Sequence, residues 1–245
     1  MSKIMEKCQW TDQIRTLGFA MLPDVVANKA LASLMAALEP WSENQDARAR
    51  GGLRNLFTLV PATRALAISN PLLAIAQAML GDNARPVRAI LFDKTPAANW
   101  KVAWHQDLTI AVLEPCPASG GQVGYQAGYQ AWSTKAGVTH VQPPISVLEN
   151  MLTLRLHLDP CGPDNGPLRV TPGSHLAGRL NAEAIAEWQT RGTPQACCLP
   201  PGGLLAMRPL LLHASSAATT PTHRRVIHVD YAAGELPGGV QWYEA

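Results

Sequence analysis

Leu152-Thr-Leu-Arg-Leu-His-Leu158 is the stretch from which the fold is read. Leucine holds every even position, while Thr153, Arg155 and His157 hold the odd ones. Successive side chains of a strand point to opposite faces, so one face is apolar and the other carries donors and a base. On a surface strand that polar face would be wet; inside a barrel it would line a site. Residues 87–93, 204–207, 210–213 and 224–231 are further strand candidates, and Asn165-Gly166 and Pro172-Gly173 mark turns between them. Short strands at this spacing predict a sandwich or jelly roll.

The N-terminal part has a different texture. Thr11 is placed to cap a helix that runs to Leu17 and stops at Gly18, and residues 19–22 are extended. Asp24 then caps a second helix with Leu31, Leu34, Met35 and Leu38 on one face, ended by Pro40. Asn70-Pro71 starts another, lined by Leu72, Ile75, Ala76 and Met79 and closed by Gly81. The chain thus reads as one domain, with residues 1–82 mostly helical and 83–245 forming the barrel. Residues 114–144 read as a loop, with Gly120-Gly121 and the tandem Gly124-Tyr-Gln-Ala127, Gly128-Tyr-Gln-Ala131. Loops longer than about 15 residues in a domain are usually lids or binding loops. Tyr125, Tyr129 and Trp132 give this one apolar surface to lay over a bound molecule, so a mobile lid is expected.

Composition narrows the function classes. A length of 245 residues suits one domain, and 47% hydrophobic residues supply a core. With 16% charged residues and a net charge of +2, neither disorder nor the basic surface of a nucleic-acid binder is expected. No apolar run approaches the roughly 18–20 residues that span a bilayer, and no signal-peptide pattern opens the chain. The five cysteines are odd in number and contain no CxxC, so a disulfide framework is not expected. A cytoplasmic protein with a small-molecule partner, and with neither membrane nor nucleic acid, follows as the expectation.

Trp104-His105-Gln106-Asp107 carries the chemistry. On an extended segment His and Asp two apart share a face, and an imidazole with a carboxylate can hold one metal if a third ligand arrives from elsewhere. Non-haem Fe(II) oxygenases use two His and one carboxylate and leave positions open. Taken alone, His-x-Asp reads equally well as a core histidine beside a surface aspartate.

More pieces follow in order: Asn165-Gly-Pro-Leu168, Pro172-Gly-Ser-His175, Leu211-Leu-His213-Ala-Ser215 and Arg224-Arg225, with Gly18-Phe-Ala-Met-Leu22 and Leu80-Gly81 upstream. With them the sequence resembles the phytanoyl-CoA dioxygenase (PhyH-like) family of Fe(II)/2-oxoglutarate-dependent oxygenases. The resemblance spans nearly the whole chain and is weakest between 114 and 146. It implies a mainly β fold with α, a double-stranded β-helix (a jelly-roll, cupin-like barrel) with N-terminal helices packed outside. It implies Fe(II) held by His105, Asp107 and His213, with 2-oxoglutarate and O2 as co-substrates. It also implies that Arg224 anchors the far carboxylate of 2-oxoglutarate, with Ser215 assisting. Related halogenases have a small residue where Asp107 stands, so the implied reaction is hydroxylation, or another oxidation, of a small organic molecule with release of succinate and CO2.

Arg225 rivals Arg224, but neighbours on a strand face opposite ways, so only one points inward. Lys94 could also reach the carboxylate. Arg155, His157, His140, Trp104, Tyr125 and Trp132 are the substrate-pocket candidates. Two other readings stay open: a non-catalytic small-molecule-binding jelly roll, and a zinc hydrolase using the same three ligands. Substrate and oligomeric state are not legible.

Overall fold

The computed structural model describes residues 2–42, 52–113 and 128–244. In chain order the elements are α1 (Ser2–Thr16), β1 (Phe19–Leu22), α2 (Asn28–Ser42), α3 (Leu56–Leu59), α4 (Pro61–Ala67) and α5 (Asn70–Leu80). Next come β2 (Arg85–Lys94), β3 (Val102–His105), β4 (Ile110–Val112), β5 (Gln130–Lys135), β6 (Val138–Gln142), α6 (Ile145–Glu149) and β7 (Met151–His157). The chain continues with β8 (Leu168–Val170), α7 (Ala182–Arg191), β9 (Gln195–Cys197), β10 (Leu204–Met207), β11 (His213–Ser215) and β12 (Arg224–Ala232).

Two antiparallel sheets form the jelly roll. One has the order β1-β10-β7-β12-β2 and the other β3-β11-β8-β9. The alternation in β7 becomes two faces that are both buried. Leu152, Leu154 and Leu156, with Ile227, Val229 and Tyr231 of β12 and Ala89 and Leu91 of β2, pack under the N-terminal helices. Those helices contribute Leu31, Leu34 and Leu38 of α2, Leu56 of α3, and Leu72 and Ile75 of α5. The opposite face of the same strands carries Thr153, Arg155, His228, Asp230 and Arg88, all buried. Helices thus cover the outside and leave the polar face to the interior between the sheets. Among the described residues no helix is long and apolar enough to cross a membrane.

Several expectations need correction. Thr11 does not cap α1: the helix starts at Ser2, and the Thr11 hydroxyl donates back to the Cys8 carbonyl at 2.9 Å. Asp24 lies too far from α2, which begins at Asn28. Pro40 does not end α2; it sits in the last turn, where the carbonyl bond it removes belongs to exposed Ala36. Residues 210–212 form a turn, and β11 starts at His213.

The segment expected as a loop contains a β-hairpin. β5 and β6 pair with each other and with β4 in a separate three-stranded sheet. The turn between them, Ala136-Gly137, has φ of 51° and 77°, the left-handed pair that a two-residue hairpin needs. Tyr129 is buried, with its hydroxyl donating to the Pro237 carbonyl at 3.0 Å, and Trp132 packs against the same apolar cluster. Residues 128–144 are therefore a packed wall and not a lid. Tyr125, Cys116, Gly120-Gly121 and the first copy of the tandem repeat lie outside the described residues. Among described residues Cys8, Cys161, Cys197 and Cys198 are free thiols.

Candidate metal centre and its cavity

β3 and β11 are neighbours in the smaller sheet, and their register sets His105 directly opposite His213. Each imidazole is fixed the same way. His105 Nδ1 lies 2.8 Å from the Ala103 carbonyl, and His213 Nδ1 lies 2.8 Å from the Leu211 carbonyl. A carbonyl only accepts, so both Nδ1 atoms carry the proton and both Nε2 atoms keep a lone pair. Asp107 completes the group: Oδ1 is 3.8 Å from His105 Nε2, and Oδ2 is 3.6 Å from His213 Nε2. One ligand atom from each residue lies within 4.8 Å of the other two.

Asp107 is not on the strand that sequence parity invoked, because β3 ends at His105. The middle residue of the motif holds it instead. Gln106 turns away from the cluster and donates to the carbonyls of Gly178 and Leu210 at 2.8 and 2.6 Å. Its own carbonyl accepts from the Leu180 amide at 2.8 Å. With the Asp107 amide bonded to the Pro209 carbonyl, the segment is clamped on both sides of the carboxylate.

The electrostatics suit a cation. Asp107 Oδ2 is buried without a hydrogen-bond partner among the described residues. Burial would raise this carboxyl, but His213, His228 and His105 outweigh it and hold it below the usual range. Burial pushes His213 down to about 4, so its ring is unprotonated at neutral pH. Two imidazole lone pairs and one ionised carboxylate converging on a point fit a divalent transition metal with further positions open.

The cluster opens into a cavity of about 530 Å³ lined by both sheets and by the β5–β6 hairpin. At one end stand Arg224 and Ser215. Arg224 Nη1 donates to the Gly166 carbonyl at 2.6 Å, while its Nε is buried without a partner. Gly166 is required here: its φ is +58°, and a Cβ would meet the Ser216 carbonyl at 2.7 Å. Arg225 points the other way into a two-pronged pair with Asp159, at 2.6 and 2.9 Å. Lys94 sits behind this end. Its ammonium donates to Ser215 Oγ at 2.9 Å and to the Ser216 carbonyl at 2.5 Å. Burial, reinforced by Arg224, pushes Lys94 down to about 8.

A buried polar chain crosses the interior face of the large sheet. Arg155 Nη1 meets His228 Nδ1 at 2.8 Å; arginine only donates, so His228 accepts there and its Nε2–H donates to Asp230 at 3.0 Å. Asp230 also accepts from Thr153 and Arg88, both at 2.7 Å. Against the upward push of burial, Arg88 and His228 hold the Asp230 carboxyl far below the usual range.

Of the residues singled out by sequence, His105, Asp107, His213, Ser215, Arg224 and Arg155 line this one cavity. Trp104, His157, His140 and Trp132 do not line it, and Tyr125 lies outside the described residues. Trp104 stacks against Arg169 at 5.5 Å. His157 and His140 are buried in their strands, and burial pushes them down to about 3 and about 4. Trp132 belongs to the apolar cluster beneath the hairpin. Sequence reasoning missed Arg54, Arg88, Lys135 and Phe92 as lining residues, while the parity of His228 with Arg224 already allowed it to face inward. For Arg88 and Phe92 a signal existed: they share the strand parity of Lys94.

The family profile described as Phytanoyl-CoA dioxygenase (PhyH) matches residues 14–226. No curated protein matches the chain in a sequence search. Solved structures match over most of its length. EctD from S. alaskensis with bound Fe is 20% identical, with a TM-score of 0.69 over 94% of this chain and 79% of that one. SnoK, a non-heme alpha ketoglutarate dependent carbocyclase from nogalamycin biosynthesis, is 17% identical, with a TM-score of 0.69 over 94% and 86%. AviO1 from Streptomyces viridochromogenes is 22% identical, with a TM-score of 0.66 over 94% and 98%. At these identities the likeness establishes the fold.

Proposed function

The chain belongs to the phytanoyl-CoA dioxygenase (PhyH) family, and on that premise we propose that it is an Fe(II)- and 2-oxoglutarate-dependent dioxygenase that hydroxylates a small organic molecule. The observation that carries this is the convergence of His105, Asp107 and His213 on the cavity that also holds Arg224. A zinc hydrolase would use the three ligands but leave the buried Arg224 and Lys94 unexplained. A binding-only jelly roll would need neither.

His105, Asp107 and His213 would hold iron, with their Nδ1 bonds and the Gln106 clamp fixing their direction. When bound, iron and 2-oxoglutarate supply the oxidising chemistry, in which one O2 and the keto acid give succinate, CO2 and a hydroxylated substrate. The chain's share is binding and orientation. Arg224 offers its unspent Nε and guanidinium edge to the far carboxylate of 2-oxoglutarate. Ser215 Oγ accepts from Lys94, which leaves its own proton to donate to that carboxylate. Neither Arg224 nor Lys94 forms a salt bridge with a carboxylate among the described residues, although the field of Asp93 reaches Arg224, so an incoming dianion would meet net positive charge. The apolar lining of Phe92, Trp100 and Ile90 would exclude water around the substrate.

The test is turnover of 2-oxoglutarate to succinate by purified protein with Fe(II) and O2. Activity should vanish with a chelator and return with Fe(II) but not with Zn(II). Activity restored by Zn(II), or none with Fe(II) across a broad metabolite screen, would overturn the reading.

A further inference from the structure

The cavity has a second cationic end that 2-oxoglutarate would not use. Arg88 precedes Lys94 by six positions on β2, and Lys94 lies opposite Arg224. At about 3.3 Å per residue, the two ends are some 20 Å apart along the sheet. Near the Arg88 end the cavity wall also carries Arg54 and Lys135. Burial lowers both Arg54 and Lys135, and the cations are close enough to add to it, Arg88 at Arg54 and both arginines at Lys135.

Their positions are built. Leu53 pairs with Leu91 of β2 in both directions at 2.9 Å, which ties the Arg54 segment to the large sheet. Asn55 Nδ2 donates to the Ala136 carbonyl at 3.3 Å, tying the same segment to the hairpin turn beside Lys135. Arg88 is already satisfied, with Asp230 neutralising it and the Thr109 carbonyl taking Nη1 at 2.9 Å. Among the described residues Lys135 has only the Thr109 hydroxyl, at 3.0 Å. Arg54 makes no hydrogen bond or ion pair with another described residue. Two cations therefore share one wall, and neither forms a salt bridge with a carboxylate among the described residues. The field of Asp107 reaches both of them. The metal group lies between the two ends: His213 is two residues from Ser215 on β11, and Asp107 is two residues from Thr109, which accepts from Arg88 and Lys135.

Resting on the oxygenase reading, we propose that the substrate is an anion, a small molecule bearing a carboxylate or phosphate that Arg54 and Lys135 grip. Its anionic group sits at this end, and the carbon to be oxidised faces the metal ligands. The end at Arg224 is committed to the co-substrate. The apolar walls between, Ile90 and Phe92, take the body of the substrate.

The experiment uses full-length protein loaded with Mn(II), titrated calorimetrically with benzoate, phenyl phosphate and neutral benzamide, each with and without saturating 2-oxoglutarate. At least one anion should bind about tenfold or more tightly than benzamide, and the tighter of the two assigns the group as carboxylate or phosphate. In Arg54→Gln/Lys135→Gln that anion should lose about tenfold or more, and the 2-oxoglutarate affinity should move far less. Arg54→Lys and Lys135→Arg should largely retain anion binding, which separates charge from folding. Equal binding of benzamide and both anions would overturn the proposal, as would an unchanged double variant. A double variant that loses 2-oxoglutarate and the anion alike would also overturn it, since the pole would then belong to the co-substrate. Failure of 2-oxoglutarate to bind wild type would count against the oxygenase reading alone, because the titrations without it still report on this end.

Discussion

The two faces of β7 are equally dry and built on opposite principles. Leu152, Leu154 and Leu156 are 0% exposed under the helices, and Thr153, Arg155 and His157 are at most 6% exposed on the interior side. The leucine face is stabilised by removal of apolar area from water, and any similar packing would serve. The interior face needs each charge answered, since an unanswered buried charge costs several kcal/mol. Asp230 is answered three times, by Arg88, His228 and Thr153. Where answers are missing among the described residues, at Asp107 Oδ2, Arg224 Nε, Arg54 and Lys135, the cavity is expected to take a metal, a keto acid and an anion. Within the cavity, unsatisfied charge thus marks the proposed site and satisfied charge its frame.

The largest test of this contrast is Asp107→Ala, which should abolish 2-oxoglutarate turnover and leave the thermal transition nearly unchanged, because it removes an unanswered charge. A melting temperature that collapses with it would place Asp107 in the frame. Asp230→Ala should do the reverse first, costing about 3–5 kcal/mol of folding stability by stranding Arg88, read by denaturant unfolding. Leu154→Ala on the outer face should cost about 2–5 kcal/mol, and the folded fraction should keep its 2-oxoglutarate affinity. If that affinity drops as well, the two faces are mechanically coupled. Arg224→Ala should weaken 2-oxoglutarate by about 30- to 1000-fold, the loss expected when about 2–4 kcal/mol of charge-assisted bonding goes. Arg225→Ala, which breaks only the pair with Asp159, should cost about 1 kcal/mol of stability and little affinity.

A pH slope tests the interior face separately. Burial first, then Arg155 and Arg224, push His157 down to about 3, and burial pushes His140 down to about 4. Both lie below the ordinary value of 6.5, so the unfolded chain takes up protons that the folded one refuses. Stability should be full above about 6.5 and fall as the pH drops toward 4. His157→Gln should flatten the slope of melting temperature against pH; an unchanged slope would remove His157 from the account.

How much of this was legible in the sequence follows the same division. Period-two alternation marked β7 and β12; the strand rule allowed only one of Arg224 and Arg225 inside, the family resemblance chose Arg224, and the pairing of Arg225 with Asp159 came from the structure. The proposed iron-ligand set came from the family resemblance carried by the order of motifs, since His105 and His213 meet only through the pairing of β3 with β11. The hairpin was missed because β5 is mostly exposed and shows no apolar alternation, and because its turn uses Ala136 in a left-handed conformation that alanine seldom adopts. Arg54 and Lys135 were missed because neither belongs to a motif. A bridge from Leu53 to Leu91 and a bond from Asn55 to Ala136 bring them together, and no local pattern encodes either contact.

The most direct measurement is an anaerobic titration of the protein with Fe(II) and then 2-oxoglutarate, followed by the visible charge-transfer absorption of an iron-chelated keto acid. Wild type should develop the band, Arg224→Ala should require a much higher 2-oxoglutarate concentration, and Asp107→Ala should show none. No band in wild type, or an undiminished band in Asp107→Ala, would contradict the assignment of His105, Asp107 and His213 as the iron ligands.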